Sequence, residues 1–326
     1  MLAFSSPLFF YRISSDALLA LRRLGASGCA RTSAQQMYRR TMHTDRVLAC
    51  SLQEKHTMQG SLGEKIGEGI SADVHAWAPG QVIKLFKAGT RQRICWYEAR
   101  ITRAVFAAGV PAPEVFGEIT LEGRHGIVLS RHDGPTLLGH YRSGAVTFEQ
   151  AGNILADLAM SVHRMPPPPE VINLQEYVEH SLRNHPGRLP EHLATGLLAL
   201  IERLGPADGL CHVDIHPGNV IVSADGPKLI DWITAVRAPA AFDLARIHVG
   251  LAEVAPHLVD NPERPRAVNM AAQSEYARLA GMSSAELKAA IEPYLPIARA
   301  VVIFGDFPHL REWLIQRIEA ALCTEG

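Results

Sequence analysis

A predicted β-hairpin with a polar residue at each end constrains this chain most. The runs Val220–Val222 and Lys228–Ile230 flank the tetrapeptide Ser-Ala-Asp-Gly, which is a strong hairpin signal. Asn219 precedes the first run and Asp231 follows the second. Because the outer ends of a hairpin lie next to each other, we expect these two side chains to be close enough to share a cation.

A third polar residue lies just upstream of this hairpin. Asp214 is separated from Asn219 by a segment that contains the turn Pro217-Gly218. An acid that can take up a proton, followed by an amide and an acid that can hold a cation, is the equipment of metal-assisted phosphoryl transfer. The sequence therefore predicts that Asp214, Asn219 and Asp231 belong to one reaction centre.

The same stretch is also compatible with a different metal chemistry. His212, Asp214 and His216 alternate along the chain, and residues at this spacing on a β-strand point to the same side. Imidazole and carboxylate groups arranged in this way could bind a transition metal, as a metal-dependent hydrolase requires. From these residues alone, both interpretations stay open.

The composition argues against several classes of function. The formal net charge of −1 does not suit a large nucleic-acid-binding surface, which needs clustered basic residues. The five cysteines are scattered and favour free thiols in a reducing compartment. No apolar run approaches the about 20 residues that span a bilayer. We therefore expect a soluble, cytoplasmic protein with no nucleic-acid or membrane partner.

The first 58 residues differ from the rest of the chain. They are rich in serine and, up to residue 43, contain one acidic residue against six arginines. This composition is typical of an organelle-import segment. We favour an upstream extension that is disordered or even untranslated, because Met37, Met42 and Met58 are alternative in-frame starts. Residues 1–58 are therefore left out of the predicted fold.

A glycine-rich turn and a charged strand follow this segment. Gly67 and Gly69 lie between two strand-like pieces, and without a Cβ they would let the backbone approach phosphate oxygens. The next predicted strand, Gln81–Phe86, carries Lys84. The position of the turn just before a strand with a lysine makes phosphate binding the favoured interpretation.

A helix with a buried carboxylate is predicted next. Thr90–Ala108 has apolar residues at helical spacing and ends at Gly109. Glu98 lies on the same apolar side, where an unpaired carboxylate would cost several kcal/mol. We therefore predict an ion pair between Glu98 and Lys84.

The remaining pattern divides the chain into two lobes. Glu114–Gly117 and Gly126–Ser130 are two further predicted strands, and the polar stretch Arg131–Leu137 is the expected hinge. Beyond it, capping boxes and apolar periodicity predict helices over residues 147–163, 174–184, 190–204, 242–254, 265–279, 284–292 and 311–322. We expect a β-rich N-lobe, residues 59–131, and a larger, mainly helical C-lobe, residues 132–326.

The order and spacing of these features resemble the aminoglycoside phosphotransferase family and, more broadly, the protein-kinase-like fold. The family pattern His-x-Asp-x-x-x-x-Asn is met by His212, Asp214 and Asn219, and its His-Pro-Gly-Asn form by residues 216–219. Ile-Asp-Trp, ending at Trp232, matches the segment with the family's metal-binding aspartate.

A second motif supports the same resemblance. Ala-Phe-Asp-Leu-Ala, in which the aspartate is Asp243, resembles a helix start whose aspartate braces the catalytic loop. The resemblance covers about Ser61 to Leu322. It implies an α+β, protein-kinase-like two-lobed fold, with a small β-rich N-lobe that binds nucleotide and a larger α-helical C-lobe that carries the catalytic and substrate-binding residues.

The resemblance implies a role for each motif residue. Asp214 would accept or orient the proton of the substrate hydroxyl as it attacks the terminal phosphate. Asn219 and Asp231 would hold magnesium, for which amide and carboxylate oxygens are suitable ligands. Lys84 would contact phosphate oxygens and would be positioned by Glu98.

The resemblance also implies contacts to the rest of the nucleotide. The loop that covers the phosphates would be lined by Gly67, Gly69 and Ser71. Backbone groups near the hinge would bind the nucleotide base, at Ser130, Arg131 and His132. Of the two histidines in the central stretch, His212 is expected to pack under the catalytic loop and His216 to hydrogen-bond the loop backbone.

The implied activity is transfer of the terminal phosphate of ATP, or of GTP, to a hydroxyl group of a small-molecule acceptor. Related kinases act on choline, homoserine, sugars and macrolides, so the family does not define the acceptor. A pseudokinase that binds nucleotide and regulates a partner is the alternative, but none of the required residues is missing. A metal hydrolase centred on His212, Asp214 and His216 is less favoured, because it has no need of Lys84 and Glu98.

Overall fold

A five-stranded antiparallel sheet carries the glycine-rich turn. The computed structural model describes residues 61–305 and 307–323, so the expectations for residues 1–58 lie outside the described residues. The strands are β1 (Lys65–Glu68), β2 (Ala72–Ala76), β3 (Gln81–Phe86), β4 (Val115–Leu121) and β5 (Arg124–Ser130). Their order across the sheet is β1-β2-β3-β5-β4.

The register of this sheet places the first glycine of the turn and Lys84 on one face, two strands apart. Gly67 pairs with Val74, Val74 pairs with Lys84, and Lys84 pairs with Ile127. Because directly paired residues in adjacent antiparallel strands point to the same face of a sheet, the lysine side chain and the first glycine of the turn share one face.

The last two strands of this sheet are longer than the sequence indicated. We predicted Glu114–Gly117 and Gly126–Ser130, whereas β4 and β5 stay paired as far as Leu121 and Arg124. The turn between them is only Glu122-Gly123, and both residues have positive φ angles, of 51° and 76°. A two-residue turn with both residues left-handed matches the twist of the strands, so the pairing continues up to it.

Helix α1 (Gln92–Ala107) packs against this sheet and confirms the predicted helix. Its buried positions include Glu98, with 3% of its surface exposed. The chain leaves the helix through Gly109, whose φ of 90° is left-handed and favours glycine.

The second part of the described chain is mainly helical, as predicted. A capping box between Thr147 and Gln150 opens α3, and another between Ser283 and Glu286 opens α8. The helices are α2 (Leu137–Ser143), α3 (Phe148–His163), α4 (Leu174–Asn184), α5 (Glu191–Leu204), α6 (Ala240–His248), α7 (Glu263–Ala280), α8 (Ser284–Ile291), α9 (Leu295–Phe304) and α10 (Pro308–Cys323).

Short strands between helices α5 and α6 hold the central stretch. The predicted hairpin is confirmed as β7 (Val220–Ser223) and β8 (Gly226–Leu229). A further antiparallel pair, β6 (Leu210–Cys211) and β9 (Val236–Arg237), was not predicted, because a strand of two residues has no recognisable period. The predicted reaction-centre residues lie in the segments that connect these two strand pairs.

Two helices were missing from the sequence prediction. Helix α2 begins at Leu137, where the stretch that we assigned to a polar hinge ends, and it contains Gly139, which weakens a helical signal. Helix α9 has no amphipathic period, because nine of its ten residues are buried. A helix buried on all sides cannot be recognised from an apolar stripe.

The predicted helix over residues 242–254 is two elements. Helix α6 ends at His248 and continues directly into a π-helix, Val249–Val254. Hydrogen bonds in a π-helix join residues five apart instead of four, so the side chains after His248 are rotated from where the 3.6-residue period placed them. Within the described residues, no helix is both long and apolar enough to cross a membrane.

We predict that His248 makes folding stability depend on pH. Its Nδ1 accepts hydrogen bonds from Asn269 and Gln273, and burial lowers the pKa of this histidine below its ordinary value. Below pH about 6.5 the unfolded chain therefore binds a proton at this histidine more readily than the folded chain does. The contribution of neutral His248 to stability is present above this pH and is lost as the pH falls.

The measurement is the free energy of unfolding in denaturant between pH about 7.5 and 5.5. His248→Gln should lose less stability over this range than the unaltered protein. His180→Gln, at an exposed position of α4, is the control and should follow the unaltered protein. Equal pH dependence in all three proteins would contradict the prediction.

Candidate active site

One buried ammonium group links the sheet, helix α1 and the hairpin. Lys84 Nζ lies 2.6 Å from Glu98 Oε1 and 3.2 Å from Asp231 Oδ1. The predicted ion pair between Lys84 and Glu98 is confirmed. The contact to Asp231 was not predicted, and it joins the predicted phosphate-binding residue to the predicted metal ligand.

The charges of these three groups do not balance. Burial would lower the pKa of Lys84, but Asp231 and Glu98 outweigh it and hold that pKa above its ordinary value. Burial raises the pKa of Glu98 to about 7, and Asp231 adds to the increase while Lys84 opposes it. Two carboxylates share one ammonium, so a cation bound nearby would relieve the excess negative charge.

Asn219 holds the side chain of Asp214. Its Nδ2 donates to Asp214 Oδ2 at 3.1 Å and to the Asp214 carbonyl oxygen at 3.0 Å. Asn219 ends a short 3₁₀ turn, Pro217–Asn219, and is 5% exposed. Because the amide nitrogen faces Asp214, the amide oxygen is the atom of this side chain that can turn towards a cation.

The hairpin brings Asp231 next to this turn. The Ile230 amide donates to the Asn219 carbonyl oxygen at 2.9 Å, so the residue before Asp231 is bonded to Asn219. Asp231 itself has a left-handed backbone with φ of 69°. This conformation is uncommon for a residue with a Cβ, although aspartate tolerates it better than most, and it turns the chain sharply out of β8.

Asp243 holds the backbone of the loop that carries Asp214. Its Oδ2 accepts from the His212 amide at 2.9 Å and its Oδ1 from the Val213 amide at 2.8 Å. Val213 has a φ of 72°, which is strained for a β-branched residue. The carboxylate therefore stabilises a backbone conformation that the local sequence disfavours.

Asp243 is in turn held by buried groups from other helices. His163 Nε2 lies 3.1 Å from Asp243 Oδ2, and its Nδ1 lies 2.8 Å from the Tyr276 hydroxyl. Burial would raise the pKa of Asp243, but hydrogen bonding and charge from His163 outweigh it and lower that pKa. Asp243 is therefore held in its anionic form, as an acceptor for two amides.

Arg246 contacts the other side of the same loop. Its Nε donates to the Val213 carbonyl oxygen at 3.1 Å, and its Nη2 lies 3.8 Å from Asp214 Oδ1. Sequence reasoning missed both Arg246 and His163. Arg246 is a charged residue on the apolar face of α6, which was a usable signal. Its partner Asp214 is 32 positions away along the chain, so the contact itself could not be predicted.

The two histidines of the central stretch support the loop, as expected. His212 Nε2 lies 3.1 Å from the Ile230 carbonyl oxygen, its Nδ1 accepts from the Asp214 amide, and its ring meets Trp232 edge-on. Burial lowers the pKa of His212, which favours the neutral ring. His216 Nδ1 accepts from the Gly218 amide at 3.0 Å.

The alternating-ligand interpretation of His212, Asp214 and His216 is not supported. The strand β6 ends at Cys211, so these residues do not alternate along a strand. Among the residues that the structure describes, three potential metal-binding atoms come within 4.8 Å of one another only in one set: His163, Cys211 and Asp243.

This set of three is not suited to a metal ion. Both oxygens of Asp243 accept backbone amides, and His163 is hydrogen-bonded on both nitrogens. Burial raises the pKa of the Cys211 thiol well above its ordinary value, whereas a metal ligand must be a thiolate. The set therefore supports the loop and does not form a metal centre.

A second cluster of charges anchors the glycine turn. Asp73, which is 8% exposed, lies 2.6 Å from Lys87 Nζ and 2.8 Å from Arg124 Nη2. The Gly69 amide donates to the Ala72 carbonyl oxygen, which closes the turn. Sequence reasoning also missed Asp73, although an acid in a strand next to a glycine turn was a usable signal.

The hinge residues use part of their hydrogen-bonding capacity within the protein. The Ser130 amide donates to the Glu114 carbonyl oxygen, and the Arg131 amide donates to the Gly80 carbonyl oxygen. Ser130 Oγ accepts from the Glu114 amide and lies 3.0 Å from His132 Nε2. A base at this edge would therefore meet carbonyl oxygens or the His132 amide.

We predict that Asp243→Asn destabilises the protein by about 1–3 kcal/mol, because one of the two buried loop amides then faces an NH₂ group and loses its acceptor. Urea unfolding measures the change. Asp157→Asn, at an exposed position of α3, is the matched control and should be neutral. The same small effect in both variants would show that Asp243 does not hold the loop.

Comparison with known proteins is consistent with this geometry. A family model described as the phosphotransferase enzyme family matches residues 64–282. An ethanolamine kinase from Plasmodium vivax has 13% identity and a TM-score of 0.50, over 94% of this chain and 92% of that one. The protein-kinase-like two-lobed fold is therefore confirmed. No curated protein matches the chain significantly.

Two aminoglycoside phosphotransferases of known structure are also similar. The type VIII aminoglycoside-3′-phosphotransferase has 21% identity and a TM-score of 0.46, over 77% of this chain and 99% of that one. APH(3″)-Id from Streptomyces rimosus has 17% identity and a TM-score of 0.47, over 81% and 99%.

Proposed function

This chain belongs to the phosphotransferase enzyme family, and we propose that it transfers the terminal phosphate of ATP or GTP to a hydroxyl group of a small molecule. The contact of Lys84 with both Glu98 and Asp231 carries this proposal. Phosphoryl transfer depends on positioning and charge neutralisation, and this contact brings the lysine of the sheet to the aspartate of the hairpin.

In this proposal Asp214 is the catalytic residue. Asn219 orients its carboxylate, so that the remaining oxygen can accept or orient the proton of the attacking hydroxyl. The positions of Asn219 and Asp231 at the two ends of the hairpin support their assignment as magnesium ligands, because both offer hard oxygen atoms. Magnesium, when bound, would neutralise charge on the nucleotide phosphates.

The N-lobe residues would bind the nucleotide. Lys84 would contact phosphate oxygens, with Glu98 keeping it in place. Gly67 lies on the same face of the sheet as Lys84, and Gly69 and Ser71 belong to the turn that follows it, which supports a phosphate-covering role for all three. The hinge would present its free polar groups to the base, at Ser130, Arg131 and His132. We retain residues 59–131 as the nucleotide-binding lobe and residues 132–326 as the catalytic lobe.

Acceptors of the related proteins indicate the class of substrate. The similar structures carry the names of an ethanolamine kinase and of aminoglycoside phosphotransferases, whose acceptors are small molecules. We propose an acceptor of this size for this chain. The second candidate is a pseudokinase, which would bind nucleotide without turnover. A screen for ATP consumption separates a pseudokinase from a phosphotransferase.

We predict that Asp214→Asn reduces phosphate transfer by about 10²–10⁴-fold, because the attacking hydroxyl loses its proton acceptor. The amide keeps an oxygen for Asn219, so nucleotide binding should change little. The assay is ATP consumption with a panel of aminoglycosides, macrolides, amino alcohols, sugars and homoserine. Undiminished turnover in this variant on a validated acceptor would refute the role of Asp214.

We predict that Asp231→Ala abolishes the magnesium-dependent part of nucleotide binding, because a ligand of the cation is lost. The measurement is the thermal shift produced by ATP with and without magnesium. Asp225→Ala, in the turn of the same hairpin, is the control and should keep the full shift. A magnesium-dependent shift that persists in Asp231→Ala would place the cation elsewhere.

A further inference from the structure

A cluster of charged groups surrounds the π-helix Val249–Val254 and has no role in the site described above. Glu253, 8% exposed, receives two hydrogen bonds from Arg299, at 2.9 Å from Nε and 2.7 Å from Nη2. Arg317, from α10, adds its Nε at 3.4 Å from Glu253 Oε2. Helices α9 and α10 thus each place a guanidinium against one carboxylate.

Helix α7 contributes amides to the other side of this cluster. His248 Nδ1 accepts from Asn269 Nδ2 at 3.2 Å and from Gln273 Nε2 at 3.1 Å, and His248 Nε2 lies 3.9 Å from Glu253 Oε1. The six residues form what we call the π-turn crevice: His248, Glu253, Asn269, Gln273, Arg299 and Arg317.

One buried atom of the π-turn crevice lacks a partner. Asn269 is 3% exposed, and within the described residues its Oδ1 accepts no hydrogen bond. An unsatisfied buried acceptor costs about 1–3 kcal/mol, so such atoms commonly face a bound molecule. A π-helix turn is itself often found at functional sites. The unpartnered oxygen indicates a ligand that donates a hydrogen bond here, and the π-helix turn is a separate indication of a functional site.

The charge of the π-turn crevice indicates the sign of that ligand. Two guanidinium groups face one carboxylate, and burial lowers the pKa of His248, which favours its neutral form. One positive charge is therefore in excess. Arg317 has 44% of its side chain exposed, and its guanidinium lies 5.0 Å from the centre of the Trp313 ring. The excess charge is thus available to a ligand at the surface.

Arg246 connects the π-turn crevice with Asp214. Its Nη2 lies 3.8 Å from Asp214 Oδ1, and its Nη1 donates to the Ala298 carbonyl oxygen, next to Arg299. Glu253 follows Arg246 by seven residues, about two helical turns, so the π-turn crevice lies further along the continuous helical segment that contacts Asp214.

We propose that the π-turn crevice binds the carboxylate of the phosphate acceptor, which is a small hydroxy acid. The proposal rests on the proposed function, since it concerns the acceptor of the same reaction. Arg317 pairs with the carboxylate, and the Asn269 oxygen accepts a second hydroxyl of the acceptor.

Matched pairs of acceptors test the charge requirement. Each pair differs in the acid group: 2,4-dihydroxybutanoate and its amide, 4-hydroxybutanoate and its amide, gluconate and its amide. We expect ATP-dependent phosphorylation of at least one acid, with a KM at least tenfold below that of its neutral counterpart. Failure to phosphorylate any of the three acids, or equal KM values within each pair, overturns the proposal.

Variants of Arg317 test the residue that pairs with the acid. Arg317→Met should raise the KM of the acid at least tenfold, with kcat within about threefold and the KM of ATP unchanged. Arg317→Lys should recover part of the loss. Arg311→Met, at an exposed arginine of the same helix, is the matched control. Equal effects of Arg317→Met and Arg311→Met overturn the proposal.

The outcomes also separate this proposal from the proposed function. Phosphorylation of neutral or cationic acceptors alone refutes the carboxylate subsite and leaves the phosphotransferase activity intact. Absence of both turnover and magnesium-dependent ATP binding refutes both. A third outcome is turnover of an acid that depends on Asp214 but not on Arg317. This result supports the proposed function and refutes acid binding by the π-turn crevice.

Discussion

The site depends on the shared ammonium group of Lys84. Burying a lysine is costly unless its charge is compensated, and two carboxylates from different elements provide the compensation. Strand β3, helix α1 and the segment after β8 therefore have to meet at one point for any of them to be stable there. The same three elements carry the groups that would bind a nucleotide and its cation, so the contacts of Lys84 also bring those groups together.

A second requirement acts on the loop that carries Asp214. Val213 is held at a φ of 72°, which costs of order 1–3 kcal/mol in a β-branched residue. Asp243 and Arg246 offset this cost by bonding the Val213 amide and carbonyl oxygen. The strain is local, but the groups that stabilise it belong to helix α6, so the position of Asp214 depends on the packing of the helical lobe.

These two requirements explain how far the sequence could predict the structure. The hairpin and the capping boxes of α3 and α8 were predictable because their signals are local. The ion pair of Lys84 with Glu98 followed from a carboxylate on an apolar helix face. The contacts of Asp243 with His163 and of Arg246 with the loop were not predictable, since they join distant parts of the chain. Helix α9 and the π-helix were missed because neither has the 3.6-residue period of an amphipathic helix.

The charges at the two ends of the site are opposite and complementary. Around Lys84, two carboxylates share one ammonium, whereas around Glu253 two guanidinium groups share one carboxylate. Each imbalance favours a ligand of the opposite charge, more strongly around the buried Lys84 than around Arg317, which is partly exposed. The proposed nucleotide with its cation would satisfy the first imbalance, and the proposed acidic acceptor would satisfy the second. In that arrangement the hydroxyl of the acceptor would lie at Asp214, and the two charge clusters together would determine which end of the acceptor reacts.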